Sequence, residues 1–169
     1  MQKTSLFTPV LIAGCAILII NFGIRGSFGV FQLPIANEFG WLRADFSMAI
    51  AIQNLAWGIG QPIFGAMAER FGDRRTIVIG ALIYAAGLVL SSFAVTPGQH
   101  WLLEILVGFG IAGTGFGLIL AIVGRATSDD NRSMALGVAT AAATAWAQGG
   151  IGGTGATWLP IAPLLFSIF

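Results

Sequence analysis

Apolar residues run in long, nearly unbroken segments over residues 6–31, 44–64, 76–95, 101–124 and 134–156, followed by a shorter apolar stretch from 157 to 169. Roughly 20 apolar residues in a helix cross the hydrocarbon core of a bilayer. Each long segment is of that order, and the pattern predicts about five membrane-spanning helices. The breaks carry turn and solvation chemistry: Pro34 to Arg43 with Asn37, Glu38 and Gly40; Gly65 to Arg75; Thr96-Pro97-Gly98-Gln99-His100; and Arg125 to Arg132 with Asp129, Asp130 and Asn131. Each break reads as a turn or a solvated loop.

Composition points the same way. Of 169 residues, 56% are hydrophobic and only 9% charged, with 24 glycines and 13 phenylalanines. A soluble domain of this size needs a large polar exterior, and so few charges cannot supply it. The fold class expected is therefore all-α, a polytopic transmembrane helix bundle whose main partner is the lipid bilayer. A net charge of +1 carries no information about acidic partners, and nothing resembles a nucleic-acid-binding patch. Orientation follows from where the cations fall. If Lys3 is cytoplasmic, so are Arg70, Arg74, Arg75, Arg125 and Arg132, which places six of the eight basic residues on one side. By the positive-inside rule the chain is a multi-pass protein of the cell (inner) membrane with its amino terminus in the cytoplasm.

Three short patterns invite other readings. Ile12-Ala13-Gly14-Cys15 resembles a lipoprotein cleavage box, but the apolar run continues through Ile20, so Cys15 reads as a small buried thiol. As the single cysteine it can form no disulfide within the chain. Gly108-Phe109-Gly110-Ile111-Ala112-Gly113 matches a dinucleotide fingerprint, yet that fingerprint needs a soluble βαβ unit. Inside an apolar run, small residues instead let helix backbones approach, as Gly113 and Gly117 at a spacing of four would do. His100 reads as an outer-loop residue without a second ligand, so neither a metal nor a cofactor is expected. No nucleophile, base and orienting group stand at plausible spacing, which speaks against an enzyme.

Polar residues inside the spans carry the functional argument. Arg25 sits well within the first span, where a charged side chain costs at least roughly 2.5–3.5 kcal/mol and should face a cavity or a partner. Asn21, Arg25, Phe28 and Gln32 recur at helical spacing along one face. Gln53, Trp57 and Gln61 form a second seam, with Asn54 adjacent, and Thr140, Thr144 and Gln148 a third. Such seams either join helices or line an aqueous path. An always-charged guanidinium with five donors suits a carboxylate or other oxyanion, so Arg25, Asn21, Gln53, Trp57 and Gln61 are the candidate substrate-binding residues. Threonines commonly bond their own helix backbone, which weakens the third seam.

Gly65, Glu69, Arg70, Gly72, Arg74 and Arg75 lie between the second and third apolar runs. In that order and place they resemble the signature loop of the major facilitator superfamily: glycine, three residues, an acid, a base, one residue, glycine, then basic residues. Glu69 stands where aspartate is commoner, and Asp73 intrudes before the basic pair. Residues 23–29 and the run Gln53-Asn54-Leu55-Ala56-Trp57-Gly58 resemble bacterial members akin to monocarboxylate and oxalate/formate carriers. The resemblance implies the amino-terminal half of a 12-helix fold and transport of a small solute, an organic anion such as a monocarboxylate, by alternating access. It further implies that Gly65, Glu69, Arg70, Gly72, Arg74 and Arg75 act as a conformational latch, in which a charge-assisted contact is broken and remade between states. A proton is the candidate coupling ion, with Glu104 and Asp45 the acids near enough to serve; each also reads as a solvated helix end.

The resemblance covers residues 1–148, an amino-terminal bundle of five spans. Residues 149–169 read as an atypical tail: Gly149 to Gly155 holds five glycines in seven positions, and Pro160 and Pro163 interrupt the apolar end. The expectation is a truncated or frameshifted carrier that lacks its carboxy-terminal half. The alternative is a small membrane subunit, or a non-transporting fragment, that acts by helix association with a membrane partner.

Overall fold

A computed structural model describes residues 8–149, and their regular structure is entirely helical: α1 (Pro9–Phe39), α2 (Arg43–Phe71), α3 (Asp73–Ser91), α4 (Pro97–Thr114), α5 (Phe116–Ala126) and α6 (Asp129–Gly149). Among the described residues, three helical stretches are long and apolar enough to cross a membrane: Pro9–Ser27, Asp73–Ser91 and Pro97–Ala126, the last running through α4 and α5. The expected spans 44–64 and 134–156 fall on α2 and α6, the second reaching past the described residues. Lys3 and the tail beyond Gly149 lie outside them as well.

The helices run further into the polar breaks than the sequence pattern suggests. Thr8 caps α1, its hydroxyl accepting from the Leu11 N–H at 3.3 Å, with Pro9 in the first turn where its missing donor costs nothing. α1 then continues through Pro34 to Phe39. It stops at Gly40, whose φ of 65° is open to glycine at little cost. The Asp45 carboxylate reaches back to the Leu42 N–H at 3.0 Å and starts α2. The Gly65–Arg75 segment is a loop only at Gly72: α2 extends to Phe71, α3 begins at Asp73, and Gly72 turns the chain at φ 91°. Its N–H closes the last turn of α2 on the Ala68 carbonyl at 3.0 Å. Likewise Thr96 and Gln99 form a reciprocal cap. α4 therefore begins at Pro97, and His100 is helical and buried, not a loop residue.

The described chain divides into two compact units, residues 31–118 and residues 8–30 with 119–149. In the first, α4 packs against both α2 and α3. Small residues set the spacing. A Cβ built on Gly80 of α3 would lie 2.6 Å from the Cα of Gly113 in α4, and one on Gly87 2.9 Å from the Val107 side chain. Gly110 abuts the Tyr84 backbone, and Gly108 abuts the Gln53 carbonyl and Ala56. These pairings run α3 antiparallel to α4 and α2 parallel to it. The Gly108–Gly113 pattern thus lies in a helix packed backbone to backbone, where lipid gives helices no hydrophobic drive to associate. In the other unit, Gly14 of α1 faces Ile119 and Val123 of α5, and Gly124 of α5 faces Leu136 of α6.

Candidate functional site

On α1, Leu11, Gly14, Leu18 and Asn21 are buried, and their alternating spacing of three and four defines the packed face. Arg25 is the next residue in that series. Its side chain is half-buried and its Nη1 is enclosed, while Asn21, one turn earlier, is 4% exposed. The guanidinium expected to avoid lipid does lie on the inward side of its helix. The side chains of Phe28 and Gln32, the rest of the stripe, lie outside the described residues.

Gln53, Trp57 and Gln61 belong to the unit of residues 31–118. Gln53 lies on the buried face of α2 with Phe46, Ala49, Ala56, Gly60, Phe64 and Ala68. Trp57 and Gln61 border that face and are half-buried. They stand beside the interruption between α4 and α5. Gly115 there is extended at φ −86°, ψ −178°, and a Cβ on it would sit 3.4 Å from Trp57 Nε1. A Cβ on Gly117 would collide with the Gln61 amide. Interrupted helices at membrane depth are where carriers expose backbone groups to a solute. The same break separates Gly113 from Gly117: Gly113 packs on Gly80 and Phe64, Gly117 on Gln61.

The Gln53 amide Nε2 donates to Glu104 Oε2 of α4 at 2.6 Å. Glu104 is 1% exposed, and its Oε1 makes no hydrogen bond but faces His100 Nε2 at 3.7 Å. His100 Nδ1 bonds the Ser91 hydroxyl of α3 at 2.8 Å, and the same hydroxyl stands beside the Glu104 carboxyl. Trp41 and Phe46 pack around the same imidazole, with centroids 5.7 and 5.8 Å away. The Trp101 indole N–H donates to the Asp45 carbonyl at 3.0 Å. Glu104 is thus no solvated helix end. Asp45 does serve at a helix start, as its bond to Leu42 shows. The sequence carried one sign of the cluster, an acid four residues after a histidine in an apolar helix.

At the opposite end of α2 and α3, Glu69, Arg70, Gly72, Arg74 and Arg75 are exposed, and Gly65 is half-buried. Arg70 stacks over the Phe71 ring at 5.4 Å. A two-helix corner carrying four charges of both signs on its surface is therefore open to a partner. The third seam dissolves into local bonds: the Thr140 hydroxyl donates to the Leu136 carbonyl at 2.8 Å and that of Thr144 to the Thr140 carbonyl at 3.0 Å. The Gln148 side chain lies outside the described residues. Among the described residues no group of three or more metal-ligating side chains occurs.

A family model for the Major Facilitator Superfamily matches residues 13–168, nearly the whole chain. The chain belongs to this superfamily. Two similar relatives are Monocarboxylate transporter 13 of Bos taurus, 34% identical over 119 residues, and Multidrug resistance protein MdtH of Yersinia pestis (strain Pestoides F), 34% identical over 95 residues. The first match covers 70% of this chain and 28% of the relative, the second 55% and 23%. The chain thus spans about a quarter of the length of the curated relatives it matches. No solved structure matches. Superfamily membership accounts for the apolar helices and places the chain among multi-pass membrane proteins. The corner at Gly72, whose residues resemble the superfamily's signature loop, is built as two helices meeting at one residue.

Proposed function

We propose that this superfamily member serves a secondary carrier for a small organic anion such as a monocarboxylate, with Arg25 as the anion ligand. The observation that carries the reading is the position of Arg25 on the packed face of α1, with Nη1 enclosed and Asn21 buried one turn away. A fixed cation that cannot lose its proton favours a carboxylate over a neutral solute. Within the unit of residues 31–118, Trp57 and Gln61 beside the break at Gly115 are an aromatic ring and an amide of the kind that orients a small solute. The similarity to a protein named as a monocarboxylate transporter agrees with this class. We assign the amino terminus and the Gly72 corner to the cytoplasmic face, since Arg70, Arg74, Arg75, Arg125 and Arg132 share that side in a five-span arrangement. Exposed Glu69, Arg70 and Arg74 then act as the latch.

The test is equilibrium binding of radiolabelled lactate and formate to the chain in lipid nanodiscs. A charge-assisted hydrogen bond contributes about 1.5–3 kcal/mol, so Arg25→Ala weakens binding about 10- to 150-fold. Arg25→Lys retains part of the affinity, because charge survives without the planar fork. Equal binding by the wild-type chain and Arg25→Ala refutes the assignment.

A further inference from the structure

We propose that Glu104 and His100, held between Gln53 and Ser91, form a proton-binding site that stores one exchangeable proton among α2, α3 and α4. The site lies away from the basic corner: Gln53 is 18 residues before Phe71, about 27 Å along α2. Ser91 ends α3, and His100 is in the first turn of α4.

A carboxylate taken out of water is costly unless a cation or several donors compensate. Here Oε2 has one amide donor and the Ser91 hydroxyl stands close to the carboxyl, while Oε1 makes no hydrogen bond and faces Nε2 of the imidazole. One added proton removes the buried charge. With the proton on Oε1, a neutral acid stands 3.7 Å from a neutral Nε2, and Nδ1–H donates to Ser91 Oγ. Moved to Nε2, the same proton leaves a carboxylate beside an imidazolium, with Nδ1–H still on Ser91. Both forms hold one proton and no net charge in the cluster. With the proton gone, a carboxylate faces a neutral ring, and Ser91 can donate to Nδ1 so that Nε2 carries the hydrogen. The Ser91 hydroxyl, as donor and acceptor, allows either tautomer.

Among the described residues, α2 and α3 bring no competing cation to the site. α2 offers Gln53 and, two turns toward its start, Asp45, which is bound to Leu42. α3 offers Ser91 and, two turns inward, Tyr84. Arg43, Arg70, Arg74 and Arg75 are exposed at helix ends. Access is short: His100 lies one turn after exposed Thr96, the cap of α4. The proton's use in transport rests on the carrier reading above; the site itself does not.

The chain has a single histidine, so nitrogen-15 histidine labelling reports this ring without assignment. The experiment follows both ring-nitrogen resonances of the full chain in nanodiscs across about pH 5 to 9. In Glu104→Gln the midpoint moves by tenfold or more in proton concentration, and in Ser91→Ala the ratio of neutral tautomers changes. Asp45→Asn leaves both unchanged. Circular dichroism confirms that each variant is folded; should Glu104→Gln fail to fold, Glu104→Asp must shift the same midpoint. Titration in Glu104→Gln indistinguishable from wild type overturns the proposal. Arg25→Ala separates the two readings, since it loses anion binding while its His100 titration stays as in wild type.

Discussion

Adding one methyl group at Gly80 tests whether backbone contact sets the spacing of α3 and α4. A Cβ there would lie 2.6 Å from the Gly113 Cα, 2.7 Å from its carbonyl carbon and 2.9 Å from its oxygen. All three are backbone atoms, so no rotamer change relieves the collision. The helices must part by about 1 Å to reach ordinary contact, and a gap of that size forfeits a quarter to a half of the dispersion well of neighbouring contacts. Overpacking of this kind costs typically 1–3 kcal/mol. Alanine favours the helix over glycine by about 0.5–1 kcal/mol, leaving Gly80→Ala a net loss of about 1–2 kcal/mol. Gly58→Ala is the matched control, because nothing lies within 4 Å of a Cβ at that exposed position. It keeps the propensity gain and is stabilised by about 0.5–1 kcal/mol. The assay is reversible unfolding in mixed micelles with increasing denaturing detergent, followed by helical circular dichroism. The two variants should shift the midpoint in opposite directions. A shift of the same sign for both would refute a backbone-limited interface.

Gln53→Leu removes the donor to Glu104 Oε2 and leaves a buried oxygen unsatisfied, for a loss of about 1–3 kcal/mol by the same unfolding assay; Gln53→Glu, which sets two acids together, costs stability that acidification restores. Thr96→Ala deletes the α4 cap and lowers stability by about 1 kcal/mol, with unchanged stability removing the cap from the account. Glu69→Ala shifts the balance of inward and outward states, read as a change in cysteine labelling from the two membrane faces; unchanged labelling reduces Glu69 to a topological charge. Gly72→Ala forces a φ of 91° on an L-residue and costs roughly 1–2 kcal/mol, visible as a lowered midpoint relative to Gly65→Ala.

The all-helical fold was legible because long apolar runs and sparse charge admit few alternatives, and the signature residues from Gly65 to Arg75 led to the superfamily. Helix ends were less legible. Pro34 and the polar residues after Gly65 look like breaks in one dimension, yet α1 runs on to Phe39 and α2 to Phe71, and among the described residues only Gly40 and Gly72 take a positive φ. Arg25 was found because an ionised side chain in an apolar run is conspicuous alone. The Gln53–Glu104–His100–Ser91 cluster was not, because its meaning lies in contacts between three helices. Glu104 near the start of an apolar run looks solvated until Gln53 is brought to it across 51 positions of sequence.

The single residue between α2 and α3 also bears on how the chain enters a bilayer. α3 is apolar enough to partition by itself, whereas α2 carries Gln53, Asn54 and Gln61 along its length. Adjacent Cα atoms across a trans peptide are about 3.8 Å apart, so Gly72 gives α2 almost no freedom to remain behind once α3 inserts. The two helices become a single unit of insertion, in which the more apolar member carries the more polar one. The corner residue thereby makes a helix bearing three amide side chains compatible with biogenesis in lipid.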